Sequence, residues 1–144
     1  MKREQPFSAG GLKKIKVFRS FFSGLTNVHG IRDPKSGRQF QVKRPVTEKV
    51  IFDHLRGKRH YGVYLLNGSC TTAAVADFDK PDPLPIFEFT AAARHYGLEP
   101  CIELSKSKGF HVWAFFETTG VPAVKARMVA NHILSEIGTP DVEL

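Results

Sequence analysis

The segment Thr72-Thr-Ala-Ala-Val-Ala-Asp-Phe-Asp-Lys80 decides how the rest of this sequence is interpreted. Its small and β-branched residues predict a buried strand that ends in two carboxylates. Because side chains alternate along a strand, Asp77 and Asp79 are expected on the same face. Two neighbouring anions repel each other unless a cation lies between them, and a hard divalent cation with oxygen ligands suits that role. The segment therefore predicts a metal site at the end of a strand.

A second segment, Glu103-Leu-Ser-Lys-Ser-Lys-Gly-Phe-His-Val-Trp-Ala-Phe-Phe116, predicts a strand, a polar turn and a returning strand. The turn collects hydroxyl and ammonium groups, and an imidazole opens the returning strand; these residues are Ser105, Lys106, Ser107, Lys108, Gly109 and His111. Such groups together suit phosphate oxygens. Two plainer interpretations stay open on the residues alone. The Asp pair could close a turn, and His111 could be a hydrogen-bonded core histidine.

The first half of the chain predicts a smaller helix-and-strand unit. Residues 1–16 are basic and contain two successive glycines, so we expect a basic flexible lead-in there, followed by an apolar helix. The polar, turn-rich residues 27–45 predict a short hairpin or an ordered loop. Thr47 is a suitable N-cap for a helix that begins at Glu48, and a strand is expected from His60.

The second half predicts strand, helix, strand, strand, helix. The expected strands after the Asp pair cover residues 100–104 and 110–116, and the last helix is ended by Gly138. The apolar stripe predicted for that helix consists of Val124, Met128, Ile133 and Ile137. The fold class is therefore α+β. It comprises a core over residues 17–144, with an N-terminal αβ unit over 17–70 and an RRM- or ferredoxin-like βαββα unit over 71–144 that lacks a full last strand.

Charge is distributed unevenly along the 144 residues. The net charge is +7, but residues 1–60 hold 15 Lys and Arg against 4 Asp and Glu, a balance of +11. This favours a polyanionic partner, although a merely solvated basic surface would look the same. No apolar run approaches the roughly 20 residues that span a membrane. The two cysteines are far apart in sequence and indicate reduced thiols, so we expect a cytoplasmic protein.

Taken together, the strand ending in D-x-D and the S-x-S-x-G-x-H turn resemble the archaeo-eukaryotic primase superfamily. The closest likeness is to the primase domains of TOTE conflict systems, and the polymerase domains of bacterial end-joining ligases look like more distant relatives. The resemblance is strongest from His54 to Gly138. It implies a DNA primase or polymerase that transfers a nucleotide to a 3′-hydroxyl on a nucleic-acid template.

The resemblance also implies roles for individual residues. Asp77 and Asp79 would hold Mg²⁺ or Mn²⁺ and, with His111, form the catalytic set. The nucleotide's phosphates would be bound by Ser105, Ser107, Lys108 and His111. The implied partners are nucleoside triphosphates and a single-stranded or primed DNA or RNA template, with helicase or nuclease domains in a longer protein and no membrane.

The family's third metal-binding carboxylate lies after the last helix. Asp141 and Glu143 are the residues available there, and the chain looks truncated before the family's third motif. Two alternatives from other classes follow from the same residues. One is a non-catalytic nucleic-acid- or nucleotide-binding fragment of such a domain. The other is a D-x-D metal-dependent phosphodiesterase or sugar-nucleotide transferase. The excess of positive charge in the first half disfavours the transferase, and a nuclease would usually have more carboxylates and histidines around its metal.

Overall fold

The computed structural model describes residues 7–105 and 109–144. Its helices are α1 (Ala9–Phe21), α2 (Glu48–Leu55), α3 (Leu84–His95) and α4 (Ala123–Glu136). Its strands are β1 (His29–Arg32), β2 (Gln39–Val42), β3 (His60–Gly62), β4 (Leu66–Asn67), β5 (Cys70–Thr71), β6 (Ala73–Phe78), β7 (Pro100–Leu104), β8 (Phe110–Phe115) and β9 (Val121–Pro122). The α+β fold class is confirmed. The chain divides into two compact units after Asn67, three residues before the boundary expected from the sequence.

The first unit contains a three-stranded antiparallel sheet with β1 in the middle, between β2 and β3. For the polar segment 27–45 the sequence predicts either a hairpin or an ordered loop, and the structure shows the hairpin. At the turn, the Asp33 carboxylate accepts hydrogen bonds from the backbone N–H of Lys35 and the hydroxyl of Ser36. These bonds lower the pKa of the Asp33 carboxyl because they stabilise its charged form.

The helices of this unit begin at capped residues. The Thr47 hydroxyl accepts the backbone N–H of Val50, so the predicted cap of α2 is confirmed. Residues 9–16, which we expected in the flexible lead-in, instead form the first two turns of α1. Ser8 caps this helix by accepting the N–H of Gly11, and Ile15 is 1% exposed. The two glycines that suggested a flexible arm lie inside this helix. At Gly11 a larger residue would be crowded, because its Cβ would lie 3.3 Å from the Phe52 ring.

The second unit contains the antiparallel sheet β6–β8–β7, with the two strands after the Asp pair where the sequence predicts them. At the free edge of β6, the N–H of Asp77 donates to the carbonyl oxygen of Glu143 at 2.8 Å, in an antiparallel bridge. The C-terminal segment thus lies where the last strand of a ferredoxin-like sheet belongs, but it pairs there through a single bridge. A separate short antiparallel pair joins β5 to β9.

One face of this sheet is covered by α3 and α4. The core comprises Ala76, Phe78 and Val112 from the sheet, with Ile86, Phe89, Ala93, Ile133 and Leu134 from the helices. Because side chains alternate, Asp77 and His111 must lie on the opposite face, which we call the site face. None of the described helices is both long and apolar enough to cross a bilayer.

The predicted apolar stripe of α4 is partly wrong. Val124 and Met128 are 66% and 65% exposed, whereas Ile133 is fully buried. Nine residues separate Val124 from Ile133, which is two and a half helical turns, so the two side chains point in opposite directions. The buried stripe instead uses Ala126 and Ala130, whose small side chains let α4 lie close to the sheet.

Candidate active site

Four ionisable residues stand in one row across the second unit's sheet. In the antiparallel register, Asp77 of β6 is the direct partner of His111 of β8, and His111 is the direct partner of Glu103 of β7. On the other side, Asp77 is bridged to Glu143. Directly opposed residues of antiparallel strands project from the same face, so all four side chains belong to the site face. The row therefore collects three carboxyl groups and one imidazole.

The imidazole of His111 lies between two of these carboxyl groups. Its Nδ1 atom is 3.1 Å from Oε2 of Glu103, and its Nε2 atom is 3.4 Å from Oδ1 of Asp77. The first distance is a hydrogen bond, whereas the second exceeds the usual range of about 2.7–3.2 Å. The same Oε2 of Glu103 also accepts the indole N–H of Trp113 at 2.7 Å. His111 is therefore held firmly on its Nδ1 side and only loosely on its Nε2 side.

Gly109, the residue just before β8, lies against the segment that carries the Asp pair. A Cβ atom on Gly109 would lie 2.2 Å from the carbonyl oxygen of Phe78 and 3.0 Å from the Cα of Asp79. Only glycine allows the two backbones to approach this closely. The base of the turn is closed by the N–H of Ser105, which donates to the carbonyl oxygen of Gly109 at 2.9 Å. Gly109 is thus packed directly against the end of β6.

Two of the predicted site residues are neighbours on two paired strands, and a third directly follows one of these strands. Asp77 and His111 are neighbours across β6 and β8, and exposed Asp79 directly follows β6 beside Gly109. Ser105 is half-buried at the base of the turn. Ser107 and Lys108 lie outside the described residues, as does Lys106.

Glu103 has no predicted role on sequence grounds, although the structure places it beside His111. The sequence did contain a signal for the strand pairing that brings Glu103 opposite His111. A turn centred on residue 107 pairs 104 with 110, and therefore also 103 with 111, as the structure shows. Alternation then brings Glu103 and Trp113 to the face of His111. The hydrogen bonds of Glu103 to His111 and Trp113 were not predictable, because they depend on rotamers that bring its carboxylate to a nitrogen of each ring.

The donor chemistry of the row suits a hard divalent cation. Carboxylate oxygens are the ligands that Mg²⁺ and Mn²⁺ take in proteins, and the Asp77 side chain is 43% exposed. Of the two candidates for a third carboxylate, Glu143 is the one opposite Asp77. Within the described ranges, no three His, Cys, Asp or Glu side chains converge as a metal-binding group. The residue types therefore fit the cation, while their present rotamers do not surround it.

Comparison with known proteins decides the family. The sequence model described as "TOTE conflict system, Archaeo-Eukaryotic Primase domain" matches residues 34–143, which is most of the chain. The chain belongs to this family. The match confirms the resemblance drawn from the two motifs, and it includes the D-x-D strand, the Ser/Lys turn and Glu143.

Fold comparison places this TOTE-family primase domain beside a polymerase. The solved structure "Polymerase Domain from Mycobacterium tuberculosis Ligase D in complex with DNA" superposes with a TM-score of 0.59 at 13% sequence identity. The match covers 89% of this chain and 59% of that chain, so the primase domain spans about three fifths of the polymerase domain's length. At this identity the likeness establishes a shared fold. Among curated proteins, none matches the sequence.

Proposed function

We propose that this domain is a metal-dependent primase-polymerase core that transfers a nucleotide to the 3′-hydroxyl of a strand paired with a template. The observation that carries the proposal is the register pair of Asp77 and His111, with their side chains 3.4 Å apart on the site face. Membership of a primase-domain family makes nucleotidyl transfer the chemistry that best suits this pair. A sugar-nucleotide transferase would need the carboxylates but not the imidazole and hydroxyls beside them.

The triphosphate would bind between the end of β6 and the turn after β7. A phosphate oxygen is a strong acceptor, and the contact between His111 Nε2 and Asp77 is loose. With Nδ1 bonded to Glu103, the imidazolium form of the ring, in which both nitrogens carry hydrogen, would donate from Nε2 to that oxygen. Ser105 lies at the base of the same turn, and Ser107 and Lys108 are predicted to line it. Preorganised donors of this kind lower the barrier by stabilising charge that develops during phosphoryl transfer.

The carboxylates would hold the divalent cations. We assign Asp77 and Asp79 as ligands and Glu143 as the third carboxylate, because it is the bridge partner of Asp77. When bound, Mg²⁺ or Mn²⁺ supplies activation of the attacking hydroxyl and neutralisation of the triphosphate. Without the cation, this row of carboxylates repels a nucleotide, so triphosphate binding should require the metal.

The first unit would supply most of the attraction for the template. Residues 1–67 carry 15 Lys and Arg against 4 Asp and Glu, whereas residues 68–144 carry 6 against 10. The charge imbalance therefore coincides with the division into units. Contacts from such a surface go to phosphates and depend on salt without reading sequence. The solved polymerase domain of similar fold is a complex with DNA, which supports a nucleic-acid partner here.

A primer-extension assay tests the proposal. Wild-type protein with Mn²⁺, a primed template and all four triphosphates should extend the primer, and Asp77→Asn with Asp79→Asn should abolish extension. Asp141→Asn, which removes a carboxylate of the same segment as Glu143, is the matched control and should extend normally. Wild-type protein that binds single-stranded DNA but neither extends a primer nor binds a metal–triphosphate complex would instead identify a non-catalytic nucleic-acid-binding domain.

A further inference from the structure

Glu103 joins two side chains of the neighbouring strand. Its Oε2 atom accepts the indole N–H of Trp113 at 2.7 Å and lies 3.1 Å from Nδ1 of His111. Trp113 and His111 are two residues apart on β8, so they project from the same face and can share one acceptor. An ionised carboxylate can only accept hydrogen bonds, and an indole can only donate. The contact with Trp113 therefore fixes which oxygen faces the histidine.

The tryptophan is itself held in one orientation. The rings of Trp113 and Phe115 lie parallel, with centroids 5.9 Å apart and an interplanar angle of 1°. A chain of contacts thus leads from a stacked aromatic pair through the carboxylate of Glu103 to the imidazole. Each step restricts the torsions of the next side chain.

We infer that Glu103 is a positioning residue, which holds the Nδ1–H of His111 and thereby directs Nε2 toward the triphosphate site. The inference rests on the proposed function, because it assigns to Nε2 a phosphate partner. The geometry behind it is that an acceptor on one ring nitrogen sets both the ring plane and the hydrogen carried by that nitrogen. Nε2 then faces Asp77 and the end of β6.

Electrostatics argues against a purely incidental role for Glu103. The row already contains Asp77 and Glu143, and a further carboxylate weakens the attraction for an anionic nucleotide. The side chain of Glu103 is 54% exposed, so it contributes little to the packed core. Fixing the imidazole offsets the electrostatic cost, because a histidine that is already oriented loses less conformational entropy on binding phosphate.

A double-mutant cycle on triphosphate affinity tests the inference. With Mn²⁺ present, Glu103→Ala should weaken binding about tenfold, which is about 1.4 kcal/mol and close to the loss from His111→Ala, because an unoriented imidazole forms the charge-assisted hydrogen bond to phosphate poorly. The double variant should lose no more than His111→Ala alone. Multiplied losses would overturn the inference, since they would mean that Glu103 acts independently of His111.

Two further variants separate orientation from charge. Glu103→Gln keeps an acceptor oxygen and the same shape, so it should lose less affinity than Glu103→Ala, and it carries the test if Glu103→Ala does not fold. Equal losses in the Gln and Ala variants would mean that the acceptor oxygen at position 103 does not matter, and would contradict a positioning role. Glu99→Ala, which removes an exposed carboxylate just before β7, is the control and should bind as wild type does.

Nuclear magnetic resonance tests the positioning without any nucleotide. Trp113 is the single tryptophan, so its indole N–H gives one resonance, and the ¹⁵N signals of His111 are identified by their loss in His111→Ala. At one fixed pH, Glu103→Ala should shift both the indole signal and the Nδ1 signal of His111. Unchanged His111 signals would overturn the inference. If these shifts occur but wild-type protein binds no triphosphate, the proposed function fails while the positioning contact stands.

Discussion

The Nε2 atom of His111 lies 3.4 Å from Oδ1 of Asp77, and the two residues are direct register partners on β8 and β6. Their closeness is therefore set first by the backbone pairing of the edge strand β6 with the central strand β8. It brings together two segments that a helix and a strand separate in the sequence. One segment contributes a carboxylate and the other contributes an imidazole, and these are the two groups on which the proposed nucleotide site depends.

Replacing His111 tests its role in phosphate binding. We expect His111→Ala to weaken metal–triphosphate binding about tenfold, which corresponds to the removal of one charge-assisted hydrogen bond. Single-stranded DNA binding should stay within about twofold of wild type, because that affinity comes mainly from phosphate contacts of basic side chains. Calorimetry measures the first quantity and fluorescence anisotropy the second. His95→Ala on α3 is the control, and a joint loss of both affinities would make His111 structural.

Gly109 is predicted to be irreplaceable at the crossing of the turn and β6. A Cβ there would lie 2.2 Å from the Phe78 carbonyl oxygen, so Gly109→Ala must push the turn away from Asp79. Such overpacking costs about 1–3 kcal/mol, which denaturant unfolding can measure. Gly10→Ala is the contrast, since its Cβ would meet only Ser8 Oγ at 4.0 Å, inside a helix. It should leave stability unchanged or raise it. Equal stability of the Gly109→Ala variant would contradict the close approach.

The buried face of α4 makes a stability prediction. Ile133→Ala should lower the free energy of unfolding by about 2–5 kcal/mol, because it leaves a cavity under a fully buried side chain. Met128→Ala should change it by about 0.5 kcal/mol at most, since that side chain is exposed. Chemical denaturation followed by circular dichroism compares them. The opposite ranking would mean that α4 is rotated about its axis, with Met128 facing the sheet.

Much of the fold followed from local signals. The strand at Pro100–Leu104 was predictable because Gly97 ends the preceding helix and a polar turn follows. The α4 stripe was not, because pattern reading favours large aliphatic residues, and here two alanines face the sheet. The helix around Gly11 was missed because glycine usually breaks helices, whereas a neighbouring ring requires one there. At α4 and at Gly11, a tertiary contact overrode the local preference.

The candidate site was predictable to a similar degree. Asp77 and His111 were recognised because their residue types and spacing resemble two family motifs, and the structure brings them together. Glu103 was missed because its importance lies in hydrogen bonds to two rings, which sequence periodicity does not encode. Of the two carboxylates that the sequence offers for the third position, Glu143 is the one that we propose, because it is the bridge partner of Asp77. Pairing between distant segments was the information that the sequence lacked.

The basic hairpin of the first unit is predicted to contribute to nucleic-acid binding through charge alone. Replacing Lys43 and Arg44, which follow β2, with glutamine should weaken single-stranded DNA binding equally for different sequences. The slope of log affinity against log salt should fall by about 1.4, or about 0.7 for each phosphate that the variant no longer neutralises. Lys125→Gln with Arg127→Gln on α4 removes the same charge from the second unit and should change the slope less. Equal changes in both variants would mean that net charge, and not this surface, drives binding.

We propose that the end of β6 and the turn before β8 together bind a metal–triphosphate complex. Isothermal titration calorimetry of wild-type protein with a non-hydrolysable deoxynucleoside triphosphate and Mn²⁺ tests this site most directly. We expect saturable binding that disappears when Mn²⁺ is chelated and when Asp77 and Asp79 are both replaced by alanine, while Asp141→Ala binds normally. Equal binding by the double variant and by wild-type protein would show that the Asp pair does not form the site.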